Sequence, residues 1–208
     1  GAIVEADQYS VAIVGTRKAS PYGIRMAEKL GRELAARGIT VVSGMATGID
    51  TAAHRGALEA GGRTIAVLGC GVNVVYPKQN GELMEAIARN GCVLSQFPMD
   101  SPPSKTHFPV RNRIISGMTL GTVVVQAPAR SGALITAHSA TEQGREVFAV
   151  PGEIGVHNSE GPHGLIREGA KLVESVEDIV TELSLPVEMQ IKPVLHGSLQ
   201  EEPKEKNV

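Results

Sequence analysis

The chain has 208 residues, 42% of them hydrophobic, and a formal net charge of -2. That length and apolar content suit one well-buried core, and the charge balance excludes a surface coated in positive charge, so any nucleic-acid contact has to be a local basic site. No apolar run approaches the roughly 18 residues of a membrane span and no signal-like pattern opens the chain, which makes a cytoplasmic protein without membrane contact the expectation.

In chain order, apolar and β-branched runs predict strands near 11–15, 40–43, 64–68, 92–95, 122–126, 147–150 and 171–173. Helical patterns fall between and after them, near 22–37, 50–60, 81–90, 109–118, 132–143, 162–169 and 175–183. Near-continuous apolar strands alternating with helices mean a parallel sheet covered on both faces. The fold class is α/β: an extended, Rossmann-like, doubly wound and mostly parallel sheet. Residues 1–183 are the expected core domain. From 184 to 208 the pattern gives way to prolines and charges, ending Glu201-Glu202-Pro203-Lys204-Glu205-Lys206, and reads as a flexible C-terminal linker or tail. The chain opens on Gly1 instead of Met, which makes an expressed fragment the expectation.

Three strand ends share one grammar. Val11-Ala12-Ile13-Val14 ends in Gly15-Thr16-Arg17-Lys18, Thr40-Val41-Val42-Ser43 runs into Gly44-Met45-Ala46-Thr47-Gly48, and Thr122-Val123-Val124-Val125-Gln126 passes through Arg130 to Ser131-Gly132. A glycine turn that opens a helix points free N–H groups and the positive end of the helix dipole at one place, where a phosphate sits well. Glycines after strands also serve tight turns alone. Three of them at strand carboxyl ends, two with an arginine, predict a phosphate-lined cleft outside the sheet edge. The dinucleotide fingerprint and the Walker A pattern are both missing, so no nicotinamide, flavin or other cofactor is expected. Cys70 and Cys92 lack metal or redox spacing and read as reduced structural thiols. His157 and His163 lack ligand company, so no metal is expected either.

A second signal is Lys105-Thr106-His107-Phe108-Pro109-Val110-Arg111-Asn112-Arg113, three cations around one aromatic after a proline-rich loop. Lysine and arginine meet phosphates, and a phenylalanine held between them by Pro102, Pro103 and Pro109 in a stiff, extended loop offers a face for a nucleobase. The competing use of Phe108 is a hydrophobic staple at a helix start. Arg111 and Arg113 lie about 200° apart around a helix, so they cannot both face the cleft.

Together these motifs resemble the DNA-processing protein A family, also called DprA or Smf. The resemblance covers about residues 9 to 180 and adds Tyr76-Pro77, Ser131-Gly132-Ala133-Leu134-Ile135-Thr136 and Gly144-Arg145-Glu146-Val147-Phe148-Ala149-Val150-Pro151-Gly152 to the turns already quoted. It implies a homodimeric binding protein, not an enzyme, that holds single-stranded DNA without cutting it and helps load RecA recombinase during natural transformation. By the resemblance Arg17, Lys78, Lys105 and Phe108 contact DNA. The turns and the basic segment add Lys18, Ser43, Gly44, Gly48, Arg111, Asn112, Arg113, Ser131 and Gly132. The chain departs from the family pattern at Thr47, Asn73, Gln96 and Gln126, three of them amides where the family carries acids. The alternative is a nucleotide sensor or a phosphoribohydrolase using the same cleft. The hydrolase pattern needs a catalytic glutamate at the third turn, and no carboxylate follows that turn before Glu142.

Overall fold

The computed structural model describes residues 1–186 and Met189. Seven parallel strands, β1 (Ser10–Val14), β2 (Thr40–Ser43), β3 (Thr64–Leu68), β4 (Cys92–Ser95), β5 (Gly121–Val124), β6 (Glu146–Ala149) and β7 (Lys171–Leu172), form one sheet in the order β4-β3-β2-β1-β5-β6-β7. The register sets Val11 beside Val41 and Ile13 beside Val123. Every residue of β1, β2, β3 and β5 is buried, as both faces are covered.

The helices are α1 (Pro21–Ala35), α2 (Ile49–Glu59), α3 (Gly81–Asn90), α4 (His107–Gly117), α5 (Gly132–Glu142), α6 (Glu160–Arg167) and α7 (Val176–Glu182). Strand side chains alternate between faces. Val11 and Ile13 therefore pack with Leu30 and Leu34 of α1, Ala53 of α2 and Ile179 of α7. Their neighbours Ala12 and Val14 pack with Ile115 of α4, Ala137 of α5 and Leu165 of α6. The doubly wound, parallel α/β reading therefore holds. The expected tail from 184 onward lies outside the described residues beyond Pro186, apart from Met189. Leu185 is buried in the first core and Met189 packs against it, so apolar packing continues past residue 183.

The order places β5 on the far side of β1 from β2, so the connections reverse direction between β1 and β5. In an open α/β sheet the crevice at that reversal, outside the strand carboxyl ends, is where ligands bind. The turns after β1 and β5 stand on either side of it.

Candidate nucleic-acid interface

Two adjoining cavities open along this edge. The larger, about 340 Å³, lies between the turn after β1 and the start of α5. The smaller, about 140 Å³, lies over Gly44, Thr47, Gly69, Tyr76 and Pro77. Arg17, Ala46, Phe108 and Arg111 line both, so these four side chains are a shared wall.

Phe108 is the centre of that wall. The Arg17 guanidinium lies 5.0 Å from its ring centroid and that of Arg111 5.7 Å, both within cation–π range. Tyr76 sits 5.9 Å away at a 30° tilt, and the ring lies against Gly69. The extended loop expected around Phe108 is corrected here: α4 begins at His107, and Pro109 occupies its first turn, where a missing N–H costs no hydrogen bond. Phe108 is half-buried, neither a free platform nor a core residue.

Arg111 is only 4% exposed. It donates to Gly44 O at 2.7 Å, to Val67 O, and through Nε to Asn112 Oδ1 at 3.1 Å. Asn112 in turn donates to Gly132 O at 3.1 Å. Arg111 and Asn112 thus tie the second turn to the third and fix the cleft's width. A side chain on Gly44 would strike the Arg111 guanidinium, 2.6 Å from its Cζ. The glycine makes room for this arginine.

The anion that the second turn was expected to attract from outside is supplied by the protein. Asp50, in the first turn of α2, is buried and accepts from the Ala46 amide at 3.3 Å. Burial raises its pKa, opposed by the charge of Arg111 and by the Ala46 and Gly44 amides. Burial likewise lowers the pKa of Arg111, opposed by Asp50. The charge of each group thus offsets part of the burial penalty on the other. Gly48, the α2 N-cap at φ 80°, packs on the first turn: a Cβ would lie 2.4 Å from Thr16 O. Ser43 is fully buried and donates to Ile13 O at 2.6 Å. Neither Gly48 nor Ser43 lines the cleft, because the close packing of the two turns uses them internally.

The remaining expected contacts divide. Arg17, Ser131 and Gly132 line the larger cavity with Asn112. Lys18, Lys78 and Lys105 are exposed outside it, each on the segment of a lining residue: Arg17, Pro77 and Phe108. Arg113 turns away and pairs with Glu142 at 2.9 Å on the outer side of α4 and α5, as the 200° separation requires. Arg130, Thr136 and Asp50 line the larger cavity without having been singled out as contacts. Arg130 was visible as a cation in the third turn, but only the fold shows which turns converge. Gln126 is no lining residue of either cavity. Its amide clamps the α1 N-cap, with Oε1 accepting from Ser20 N at 3.0 Å and Nε2 donating to Ser20 Oγ at 2.9 Å.

A parallel α/β sheet with a cationic, aromatic-walled crevice at its switch point defines a Rossmann-type fold. The chain belongs to the DNA recombination-mediator protein A family, whose profile matches residues 1–184. Protein Smf of Escherichia coli K12 is 49% identical over 84% of this chain and 47% of its own length. The X-ray structure of DNA processing protein A from Streptococcus pneumoniae superposes with a TM-score of 0.81 at 48% identity, covering 86% of this chain and 63% of that one. A structure of DNA processing protein A from Helicobacter pylori, concerned with that protein's single-stranded DNA binding mode, gives 0.78 at 31% identity over 85% and 80%. The chain spans 47%, 58% and 61% of three curated relatives that it matches. Among the described residues no helix is long and apolar enough to cross a membrane.

Proposed function

We propose that this chain holds single-stranded DNA across the two cavities and acts as a recombination mediator in DNA processing. The observation that carries the reading is the wall they share: an exposed Arg17 stacked on a half-buried Phe108, with Arg130 at one end and Tyr76 at the other. Arginine meets backbone phosphate, and an unpaired base finds an aromatic face worth about 1–3 kcal/mol. Duplex DNA keeps its bases stacked inside and can use only the phosphate contacts. The family's description and the Helicobacter pylori structure support the same reading.

The cleft binds without catalysis. Among the described residues Asp50 is the sole carboxylate lining either cavity. It is buried, held by a backbone amide and balanced by Arg111, which suits a structural anion and not a general base. RecA loading during natural transformation, a cytoplasmic location and a homodimer through the carboxyl half complete the proposal. Exposed Ile135, Ile154 and Leu172 leave apolar surface in that half, which supports the dimer.

Fluorescence anisotropy with a labelled single-stranded oligonucleotide, competed by unlabelled single strand and by duplex, tests the binding. Displacement by single strand at concentrations where duplex fails is the expected result. Equal competition by duplex would refute the single-strand reading. Light scattering at micromolar concentration tests the dimer, and a monomer mass would overturn it for this chain.

A further inference from the structure

Of the three strand-to-helix turns, two are closed by the protein itself. Ser20 and Gln126 occupy the start of α1, and Asp50 fills the second turn. The turn that opens α5 is different. Ser131 accepts from the Ala133 amide at 3.3 Å, but the Gly132 amide has no partner among the described residues and lines the larger cavity. Arg130 beside it is exposed and joins no ion pair among them.

A second observation lies deeper in the same cavity. Thr136 is 1% exposed and lines it, yet its hydroxyl has no hydrogen-bond partner among the described residues. Thr141, on the same helix, follows the usual habit and donates back to Ala137 O at 3.3 Å. The carbonyl one turn before Thr136 belongs to Gly132 and is engaged by Asn112. The Thr136 hydroxyl is thus a free donor toward the cavity it lines. Around it, Val14, Ile115 and Ala133 make an apolar floor. The 340 Å³ volume falls in the range of about 300–1,000 Å³ that holds small-molecule ligands, whereas 140 Å³ does not.

We propose that the larger cavity is a site for a free nucleoside monophosphate, which competes with a DNA strand for the cleft. Its phosphate rests on the first turn of α5 with Arg130 and Thr136, and its sugar and base rest on the apolar floor and the Phe108 wall. A phosphate monoester carries about -1.5 to -2 charge near pH 7, more than the single charge of a backbone diester. Two unpaired arginines, Arg17 and Arg130, and a helix N-terminus suit that charge. The inference rests on the reading that the cleft receives nucleic acid, and it adds a metabolite that would report nucleotide supply to the same site.

The test uses this chain, a labelled oligothymidylate, and three competitors: thymidine 5′-monophosphate, thymidine and inorganic phosphate, with calorimetry of each alone. The monophosphate should displace the strand at concentrations where thymidine and phosphate do not. Thr136→Val and Arg130→Gln, each checked for folding by circular dichroism, should weaken monophosphate binding by about tenfold, the order expected for one charge-assisted hydrogen bond. A strand that binds but is not displaced by millimolar monophosphate overturns this inference and leaves the DNA reading standing. Monophosphate binding without strand binding supports the site and overturns the DNA reading. Displacement by phosphate as effective as by the monophosphate, or unchanged affinity in both folded variants, overturns the nucleotide site.

Discussion

Arg111 and Arg113 stand two residues apart on α4 and look interchangeable in the sequence, yet the fold puts them to opposite uses. Arg111 is sealed under the cleft, bound to two carbonyls and to Asn112, and its charge is balanced by Asp50. Arg113 lies on the outside, paired with Glu142, with the two side chains 57% and 62% exposed. Depth decides the energetics. A buried charge has lost its hydration and depends on every partner it keeps, whereas an exposed pair exchanges one solvated state for another at little net gain. The inner face of α4 shapes the site, and the outer face only covers it.

The largest expected effect tests that contrast directly. Arg111→Met should destabilise the fold by about 3–5 kcal/mol, since Asp50 is left buried without its counter-charge. Arg113→Met should cost about 0–1 kcal/mol. Urea unfolding of both variants gives the comparison. Adding Asp50→Leu to Arg111→Met should recover much of the loss, because removing both charges removes the penalty. Equal costs for the two arginines would break the contrast.

His54 shows the other way to bury a titratable group, by keeping it neutral. It lies one turn after Asp50 on α2, fully buried, with Nδ1 2.6 Å from Thr64 Oγ1. Thr64 donates its own proton to Val41 O at 2.7 Å, so Nδ1 is the donor and Nε2 is left without a partner among the described residues. Burial, aided by the positive charge of Arg111, lowers the pKa of His54 to about 3. The unfolded chain binds a proton near pH 6.5, and the folded chain does not until about pH 3. The stability from neutral His54 is therefore complete above about pH 6.5 and falls as the pH drops through that window. The slope approaches 1.4 kcal/mol per pH unit, so the contribution lost between pH 6 and pH 4 is about 2–3 kcal/mol. Denaturant midpoints across that range measure it. A His54 imidazole signal, assigned by its loss in His54→Gln, that titrates near pH 6.5 in the folded protein would contradict the assignment.

Much of this architecture is legible in the sequence, for a physical reason. Runs such as Val11-Ala12-Ile13-Val14 are apolar throughout because both faces of a parallel strand are buried, so all seven strands fall close to where the runs predict. The start of α4 is less legible because Pro109 reads locally as an extended signal, and only the helix boundary reveals that it sits in a tolerated first turn. Asp50 and Arg111 were harder still. A charged residue carries no local sign of depth, and these two act on each other's charge across 61 positions through the order β3-β2-β1-β5. Ser43 was read as a contact since a small polar residue at a strand end serves either purpose, and the neighbouring β1 carbonyl claims it.

Phe108 carries the next effect in size and sits where the two faces of the contrast meet. The sequence offers Phe108 as a base-stacking ring on an extended loop, a place where its loss would leave stability nearly intact. The structure gives a ring held between Arg17, Arg111 and Tyr76, so Phe108→Ala should lower the melting temperature measurably as well as cost about 1–3 kcal/mol of oligonucleotide affinity. Melting and anisotropy on one preparation separate the parts. A variant that melts early yet binds normally below its transition would remove Phe108 from the interface.

The smallest effect discriminates most finely between the exposed cations. Arg17 and Arg113 are both exposed, but Arg113 has Glu142, whereas Arg17 has only the Phe108 ring and lines both cavities. A cation already neutralised by a carboxylate has little to gain from a phosphate, while one resting on an aromatic face keeps its full charge for the ligand. Arg17→Ala should therefore weaken single-strand binding modestly and lower the slope of log affinity against log salt by about 0.7, the release of counterions from one phosphate. Arg113→Ala should leave that slope unchanged. Anisotropy titrations at several salt concentrations give both slopes with the same oligonucleotide. If the Arg17 variant folds and keeps the original slope, its guanidinium serves only to hold Phe108, and the phosphate contact at this wall passes to the neighbouring Lys18 or Arg130.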